Sequence, residues 1–294
     1  MKRPTPRHST AEGWYAKAHY NLALTYHRRG RFDEAGVEYE RTLEIAPDYF
    51  DALNNLAVLR CAQGEVRAAL ELLERACAAE PTRAQGQMNL GRLHLRCRDF
   101  AAAARCFAEA RRLLDGRVEP TYWLGRVALD EGRPREAADE FRAVLAAEPE
   151  HGDARLMLAR CLLEMGDLEA AHSNVWHVLA SEPASAPAHN LAGVIAHKAG
   201  LRDEAAASFE RAIEHSPEYA PAYKNLGTVR SEQGDYTAAA AAYRRYIRLE
   251  ADPEERRRTE VLAQRIEHFY MGSPQPGAPS GTGTLQATGD ATSD

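Results

Sequence analysis

The chain has 294 residues, of which 45% are hydrophobic and 7% aromatic, and its formal net charge is -6. This composition is that of a folded globular chain, and the modest negative charge argues against a nucleic-acid-binding surface. No stretch approaches the roughly 20 apolar residues that span a bilayer, and no apolar segment follows the basic N-terminus, so we expect neither membrane insertion nor a secretory signal.

The predicted elements start after residues 1–13, whose polar and basic composition predicts disorder. Trp14 and Tyr15 follow, and we expect them to pack onto the first repeat. The chain also has five cysteines, an odd number, and no C-x-x-C pair. Such cysteines are typical of a reducing compartment, which predicts a cytoplasmic protein.

From residue 16 onward, three kinds of residue recur every 34 positions. The glycine column consists of Gly30, Gly64, Gly132, Gly166, Gly200 and Gly234, with Arg98 in the remaining slot. The proline column consists of Pro47, Pro81, Pro149, Pro183 and Pro217, and the alanine column of Ala35, Ala69, Ala103, Ala137, Ala171, Ala205 and Ala239. A shared register indicates tandem repeats. The repeats are 16–49, 50–83, 84–117, 118–151, 152–185, 186–219 and 220–253.

Each repeat is predicted to form two helices. In the first repeat, apolar or small residues recur with helical spacing before Gly30, which can end a helix in the left-handed conformation. The periodicity resumes at Phe32 and stops at Pro47, which lacks a backbone donor. A small residue at 23, 57, 91, 125, 159, 193 and 227 lets the two helices approach closely. Bulky residues fill the gaps between them: Tyr39, Leu73, Phe107, Phe141, Val175, Phe209 and Tyr243.

These columns resemble the tetratricopeptide repeat pattern over residues 16–253. The resemblance implies an all-α fold, a right-handed α-α superhelix of helix-turn-helix repeats whose first helices line a concave groove. Two repeats depart from the pattern: the third ends at Gly116 without a proline, and the seventh has Ala251 in the proline slot.

The array is predicted to close with a capping helix over 253–271, which begins at Asp252 as N-cap and Pro253 in the first turn. Its expected apolar stripe consists of Val261, Leu262, Ile266 and Phe269. Residues 14–271 would then form one solenoid. Residues 272–294 have the composition of a disordered tail.

One column of the first helices carries the residues expected to bind a ligand. It consists of Asn21, Asn55, Asn89, Trp123, Met157, Leu191 and Asn225. The resemblance implies that such asparagines can hold the backbone of an extended peptide, as in the solenoid of O-GlcNAc transferases, because one amide both donates and accepts. The alternative is that Asn is simply frequent at this place in such repeats.

Three arginines, Arg92, Arg126 and Arg160, lie one turn further along the same face. They could attract carboxylates of a partner. Alternatively they pair with acids of the chain itself and form a solvated face. The acids considered are Glu119, Asp130 and Asp153.

The middle of the expected groove is apolar, since Tyr122 and Leu156 adjoin Trp123 and Met157. Aromatic residues beside arginine are typical of a binding hot spot. The alternative is that Trp123 is partly buried between repeats. Trp176, by contrast, is expected to face solvent on a second helix, where it could mark another contact surface.

The sequence indicates no enzyme, metal site or cofactor. It contains no G-x-x-x-x-G-K-[ST], G-x-S-x-G or H-E-x-x-H motif. The resemblance also offers a clamp for the C-terminal carboxylate of heat-shock proteins, but Tyr20 and Leu24 stand where its first Lys and Asn would fall. We therefore expect a cytoplasmic scaffold or adaptor that binds a protein or peptide partner in the groove. The alternatives are a structural or self-associating component, or an assembly factor or chaperone of a larger complex.

Overall fold

The computed structural model describes residues 11–268, and within that range it contains fifteen α-helices and no β-strand. The predicted all-α fold of tandem helix pairs is therefore confirmed. The helices are α1 (Ala11–Arg28), α2 (Phe32–Ile45), α3 (Phe50–Ala62), α4 (Val66–Ala79), α5 (Ala84–Arg96), α6 (Phe100–Leu113), α7 (Glu119–Asp130), α8 (Pro134–Ala147), α9 (Gly152–Glu164), α10 (Leu168–Ser181), α11 (Ala186–Lys198), α12 (Arg202–His215), α13 (Ala220–Glu232), α14 (Tyr236–Leu249) and α15 (Pro253–Ile266).

The packing divides the chain into two compact units, one ending at Asn174 and the other beginning at Val175. The boundary falls inside α10. In the first unit α1 packs on α2, α3 on α4, α5 on α6 and α7 on α8; in the second, α11 packs on α12 and α13 on α14. Each such pair is one repeat of the sequence. The single solenoid over 14–271 stays a prediction.

The turn within each pair depends on the glycine column. Gly132 has a φ of +82°, and two hydrogen bonds close the turn, from Gly132 N to the Leu129 carbonyl (3.0 Å) and from Arg133 N to the Ala128 carbonyl (2.8 Å). This is the glycine-based helix stop in which the left-handed residue satisfies the last carbonyls of the helix. Arg98, in the slot that lacks glycine, has the same backbone geometry with a φ of +60°.

The core lies between the two helices of each repeat. Phe141 is fully buried, and the small residue opposite it is Gly125. In the second unit Phe209 packs on Gly193 in the same way. The small and bulky columns of the sequence are thus two sides of one contact, which fixes how closely the paired helices approach.

The N-terminal boundary differs from the prediction. Helix α1 begins at Ala11, so residues 11–13 are helical where disorder was expected. Trp14 and Tyr15 are largely exposed, and the expectation that they pack onto the first repeat was wrong. The residues that α1 buries are Ala16 and Ala23, which lie on its other face. Residues 1–10 lie outside the described part of the chain.

Helix α15 closes the described chain, and Asp252 caps it by accepting a hydrogen bond from Glu254 N at 2.9 Å. Its buried residues are Thr259, Ala263 and Ile266, spaced i, i+4, i+7; Ala263 and Ile266 join a core cluster with residues of α14.

The predicted stripe was wrong in two of its members, because Val261 and Leu262 are 57% and 41% exposed. Both lie on the side of α15 that faces away from α14. Phe269 and the predicted tail 272–294 lie outside the described residues, as do the last three positions of the predicted capping helix.

Candidate functional site

The predicted site residues lie on the first helices of the repeats. Within the unit that ends at Asn174, α3 contacts α5 and α7 contacts α9. Helices α5 and α7 meet through the side chain of Arg92, which pairs with Glu119 and lies over the ring of Trp123. Helix α5 carries Asn89 and Arg92, α7 carries Tyr122, Trp123 and Arg126, and α9 carries Met157 and Arg160. Asn21 and Asn55 lie on α1 and α3 of the same unit, whereas Asn225 lies on α13 of the other unit.

Three of the four predicted asparagines bond to the preceding repeat. The amide of Asn89 donates to Asn54 Oδ1 at 2.7 Å, and Asn55 donates to the hydroxyl of Tyr20 at 3.2 Å. In the other unit, Asn225 makes the corresponding bond to Asn190 Oδ1 at 2.9 Å. These bonds occupy part of the donor and acceptor capacity that a peptide backbone would use.

Trp123 is partly buried between two repeats, which was the structural alternative. Its ring stacks on Phe107 of α6, with centroids 5.7 Å apart and an interplanar angle of 15°. Tyr122 approaches it edge-on at 5.7 Å. The contact with Phe107 fixes the orientation of the indole and leaves the remaining part of the ring accessible.

Two of the predicted arginines flank this tryptophan. The guanidinium carbon Cζ lies 4.9 Å from the Trp123 ring centroid in Arg92 and 6.0 Å from it in Arg126. These are cation-π distances. Arg160, the third arginine of the column, makes no such contact within the described residues and is the most exposed of the three.

Each of these arginines also has a carboxylate partner, as the solvated-face alternative predicted. Arg92 pairs with Glu119, and Arg126 Nη2 lies 3.9 Å from Asp130 Oδ2. The third acid considered, Asp153, pairs with none of the three arginines in the described chain, because Arg126 lies near Asp130 and Arg160 Nε lies 3.4 Å from Glu164 Oε1, one turn along its own helix. Exposed pairs of this kind contribute about 0–1 kcal/mol, so they leave the arginines available for exchange.

The apolar middle of the face is smaller than expected. Leu156 is buried, whereas Met157 is partly exposed beside it. Tyr122 is held by Phe141, edge-on at 5.7 Å, and by His151, which stacks on it at 5.5 Å with an interplanar angle of 13°.

His151 is the site neighbour that sequence reasoning missed. It stands immediately before α9, where its Nδ1 accepts a hydrogen bond from Ala154 N at 3.3 Å. The repeat register could have identified it, because His151 lies 34 residues after Arg117 and 68 after Arg83. Arg83, at the equivalent position of the second repeat, contacts the ring of Phe50 at the start of α3. The last residue of the second repeat and that of the fourth each contact an aromatic ring near the start of a first helix.

Two of the five cysteines are buried and unreactive. All five are free. Burial, the largest cause in each case, raises the pKa of Cys106 to about 11 and that of Cys161 to about 12. A thiol with so high a pKa is a poor nucleophile at neutral pH.

Between residues 11 and 268, no three His, Cys, Asp or Glu side chains come together in a way that could hold a metal ion. In the same range, no helix has both the length and the apolar character that crossing a membrane requires.

A second exposed aromatic lies away from these residues. Trp176 on α10 is 60% exposed, as predicted, and its ring contacts His177 edge-on at 5.5 Å.

Comparison with known proteins gives a consistent assignment. Three tetratricopeptide repeat models match the sequence, at residues 14–79, at 54–118 and 190–256, and at 128–195. No curated protein matches it.

Two solved structures are similar. A tetratricopeptide repeat protein from Parabacteroides merdae has a TM-score of 0.78 at 15% identity, over 85% of this chain and 99% of that one. Pseudomonas aeruginosa PilF has a TM-score of 0.61 at 23% identity, over 76% of this chain and 100% of that one. At these identities the likeness shows the fold alone. Together with the matched models, it places the chain in the tetratricopeptide repeat family.

Proposed function

We propose that this chain is a non-enzymatic adaptor that binds a peptide segment of a partner protein on the first-helix face of its N-terminal unit, centred on repeats three to five. Tetratricopeptide repeats generally mediate protein–protein interactions, and the chain carries them along most of its length. The cytoplasm is the proposed location, since the five cysteines of the described chain are unpaired.

The observation that carries the proposal is the proximity of the Trp123 ring to the guanidinium groups of Arg92 and Arg126. A partly buried tryptophan with a fixed ring, flanked by guanidinium groups, is the usual composition of an interaction hot spot. A partner's apolar side chain would pack on the accessible part of the indole, and its carboxylates would pair with the arginines.

The neighbouring side chains would extend the contact. Tyr122 and Met157 add apolar surface, and Arg160 adds a third charge. The proposed backbone-holding residues are Asn21, Asn55 and Asn89, with Asn225 as a separate point in the C-terminal unit. Because Asn89 and Asn225 already bond to the preceding repeat, the amide of Asn21, which is exposed, is the better placed of these to accept a ligand.

The test reverses charge on this face and, as a matched control, on second helices of the same unit. The site variant is Arg126→Glu with Arg160→Glu. The control variant is Arg105→Glu with Arg142→Glu, which changes the net charge equally at exposed positions on α6 and α8. Circular dichroism should show unchanged helicity in both.

Affinity purification followed by mass spectrometry would then compare wild type, site variant and control. A partner recovered by wild type and control but lost from the site variant supports the proposal, with an expected loss of roughly tenfold or more in affinity. Equal recovery by both variants would place the contact elsewhere.

Self-association is a second candidate, favoured by the exposed apolar pair Val261 and Leu262 on α15. If α15 packs against a second copy, multi-angle light scattering should give a dimer mass at micromolar concentration. Val261→Glu with Leu262→Glu should return the monomer mass. A monomer for the wild-type chain would exclude this candidate.

A further inference from the structure

We propose that Glu119 is a built-in competitor at the proposed site: it occupies the carboxylate position of Arg92, and a partner binds by replacing it with an acidic side chain of its own. The inference rests on the proposed function, because it specifies the partner segment as one that places an acidic residue beside an apolar residue on Trp123. It also makes Glu119 the residue that sets how tightly such a segment is held.

The position of Glu119 supports this role. It is the first residue of α7 and lies four residues before Trp123. Its carboxylate pairs with Arg92, which belongs to the preceding repeat. A carboxylate in the first turn of a helix is stabilised by the helix dipole. The Arg92 side chain is 40% exposed and that of Glu119 is 55% exposed, so water and a competing carboxylate both reach the pair.

Arg92 has donors to spare for such an exchange. Its guanidinium carries five N–H groups, and its Nη2 contacts Glu119. Its Nε is buried and has no hydrogen-bond partner among the described residues, and the same holds for the Nε of Arg126. The donors that a partner's carboxylate can share are therefore those of the terminal nitrogens, since the Arg92 side chain is 40% exposed. The cation-π contacts with the indole ring hold both guanidinium groups near Trp123 without using those donors.

The other two arginines of the column show that this pairing is particular to Arg92. The residue equivalent to Glu119 in the next repeat is Asp153, yet Arg126 lies near Asp130 on its own helix instead, at 3.9 Å. In the repeat after that the equivalent residue is Pro187, which has no charge. Among these described pairs, only Arg92 receives its carboxylate from the following repeat.

The experiment needs a defined probe, since the partner is unidentified. A phage-displayed library of random 12-residue peptides is selected on the full chain, and peptides that lose binding to Trp123→Ala are kept. One peptide with an acidic residue is synthesised, together with its twin carrying the corresponding amide. Affinities are measured by the fluorescence of Trp123 in a chain with Trp14→Phe and Trp176→Phe; both replaced residues are largely exposed.

We expect the Glu119→Gln variant to bind the acidic peptide about two- to fivefold more tightly than the same chain with Glu119. This is the range expected when the exposed ion pair between Glu119 and Arg92 no longer competes with the peptide. The gain should vanish for the amide twin and in an Arg92→Gln background. Glu136→Gln is the matched control, because Glu136 is similarly exposed and pairs with an arginine, Arg133, on a second helix; it should leave the affinity unchanged.

The outcomes separate the two proposals. Peptides that depend on Trp123 but show no gain with Glu119→Gln, or an equal gain for the amide twin, would overturn the competitor role and leave the proposed function intact. A selection that yields no peptide dependent on Trp123 would contradict the proposed function and the competitor role with it.

Discussion

The ring of Phe141 lies so close to Gly125 that a methyl group placed on the glycine would come within 2.9 Å of the ring carbons. Three further pairs have the same relationship sixteen residues apart: Gly91 with Phe107, Gly193 with Phe209 and Gly227 with Tyr243. In the second repeat the small residue is Ala57, and the bulky position holds Leu73, whose side chain is smaller than that of Phe or Tyr. The volume of one column thus compensates for that of the other in these five repeats, whereas the first repeat combines Ala23 with the large Tyr39.

Replacing Gly125 by alanine should therefore destabilise the chain. The added methyl overpacks the contact with Phe141, at a cost of about 1–3 kcal/mol. Urea-induced unfolding followed by circular dichroism measures the loss. Gly36→Ala is the control, since its methyl would meet only Leu59 Cδ2 at 3.4 Å, an ordinary contact; the gain in helix propensity makes it neutral or up to about 1 kcal/mol more stable.

A compensating change tests the same contact from the other side. In the Gly125→Ala background, Phe141→Leu should cost less than it does in the wild-type chain, because the smaller side chain makes room for the methyl. Costs that simply add would mean that the two columns are independent.

The left-handed turn at Arg98 predicts a difference between two substitutions. Both Arg98→Gly and Arg98→Ala remove the guanidinium, which lies 5.2 Å from the Phe100 ring. Only glycine tolerates a φ of +60° without strain. The glycine variant should therefore be about 1 kcal/mol more stable than the alanine variant in thermal unfolding. Equal stabilities would show that the turn relaxes when the side chain is removed.

Asn89 should contribute to stability whether or not a ligand is present. Asn89→Ala leaves Asn54, which is buried, without the donor at 2.7 Å, at a cost of about 1–3 kcal/mol. Asn21 is exposed, so Asn21→Ala should change the free energy of unfolding by no more than about 0.5 kcal/mol. If Asn89→Ala leaves the free energy of unfolding unchanged, Asn89 does not stabilise the fold and its remaining proposed role is ligand binding.

The thiols should react in an order set by burial. Cys97 is exposed, whereas burial raises the pKa of Cys106 to about 11 and that of Cys161 to about 12. An aromatic disulfide reagent at pH 8 should therefore label Cys97 fast, and Cys106 and Cys161 only after unfolding. Cys97→Ser should remove the fast phase; a fast phase that survives it would contradict this order.

The periodic part of the structure could be predicted from the sequence because the same contact repeats in one register. The glycine column reflects the left-handed turn within each repeat, and the small and bulky columns reflect the close approach of its two helices. Arg98 has a positive φ at the glycine position, so the repeat adopts this turn there even without glycine. At the ends of the array the repetition stops. There Val261 and Leu262 were assigned to the wrong face of α15, because helical spacing alone does not say which of two possible stripes meets α14.

The candidate site was only partly predictable for a related reason. The face of Arg92, Trp123 and Arg126 followed from the register, and so did the choice of Glu119 and Asp130 as partners. Whether Arg126 pairs with Asp130 or with Asp153 depends on side-chain rotamers near the surface. The free energies of such ion pairs differ by about 1 kcal/mol or less, and a difference of that size cannot be read from the sequence.

The most direct test of the interaction role of Trp123 uses a partner identified by affinity purification and then purified. Its dissociation constant is measured for the wild-type chain, for Trp123→Ala and for Trp176→Ala. Trp176 is an exposed tryptophan on a second helix and serves as the matched control. Thermal unfolding of each variant confirms that it is folded at the temperature of the measurement. The account predicts that Trp123→Ala weakens binding by roughly 30-fold or more, the loss typical of a hot spot, and that Trp176→Ala changes it by less than about twofold. An unchanged dissociation constant for Trp123→Ala, or a large loss for Trp176→Ala, would contradict it.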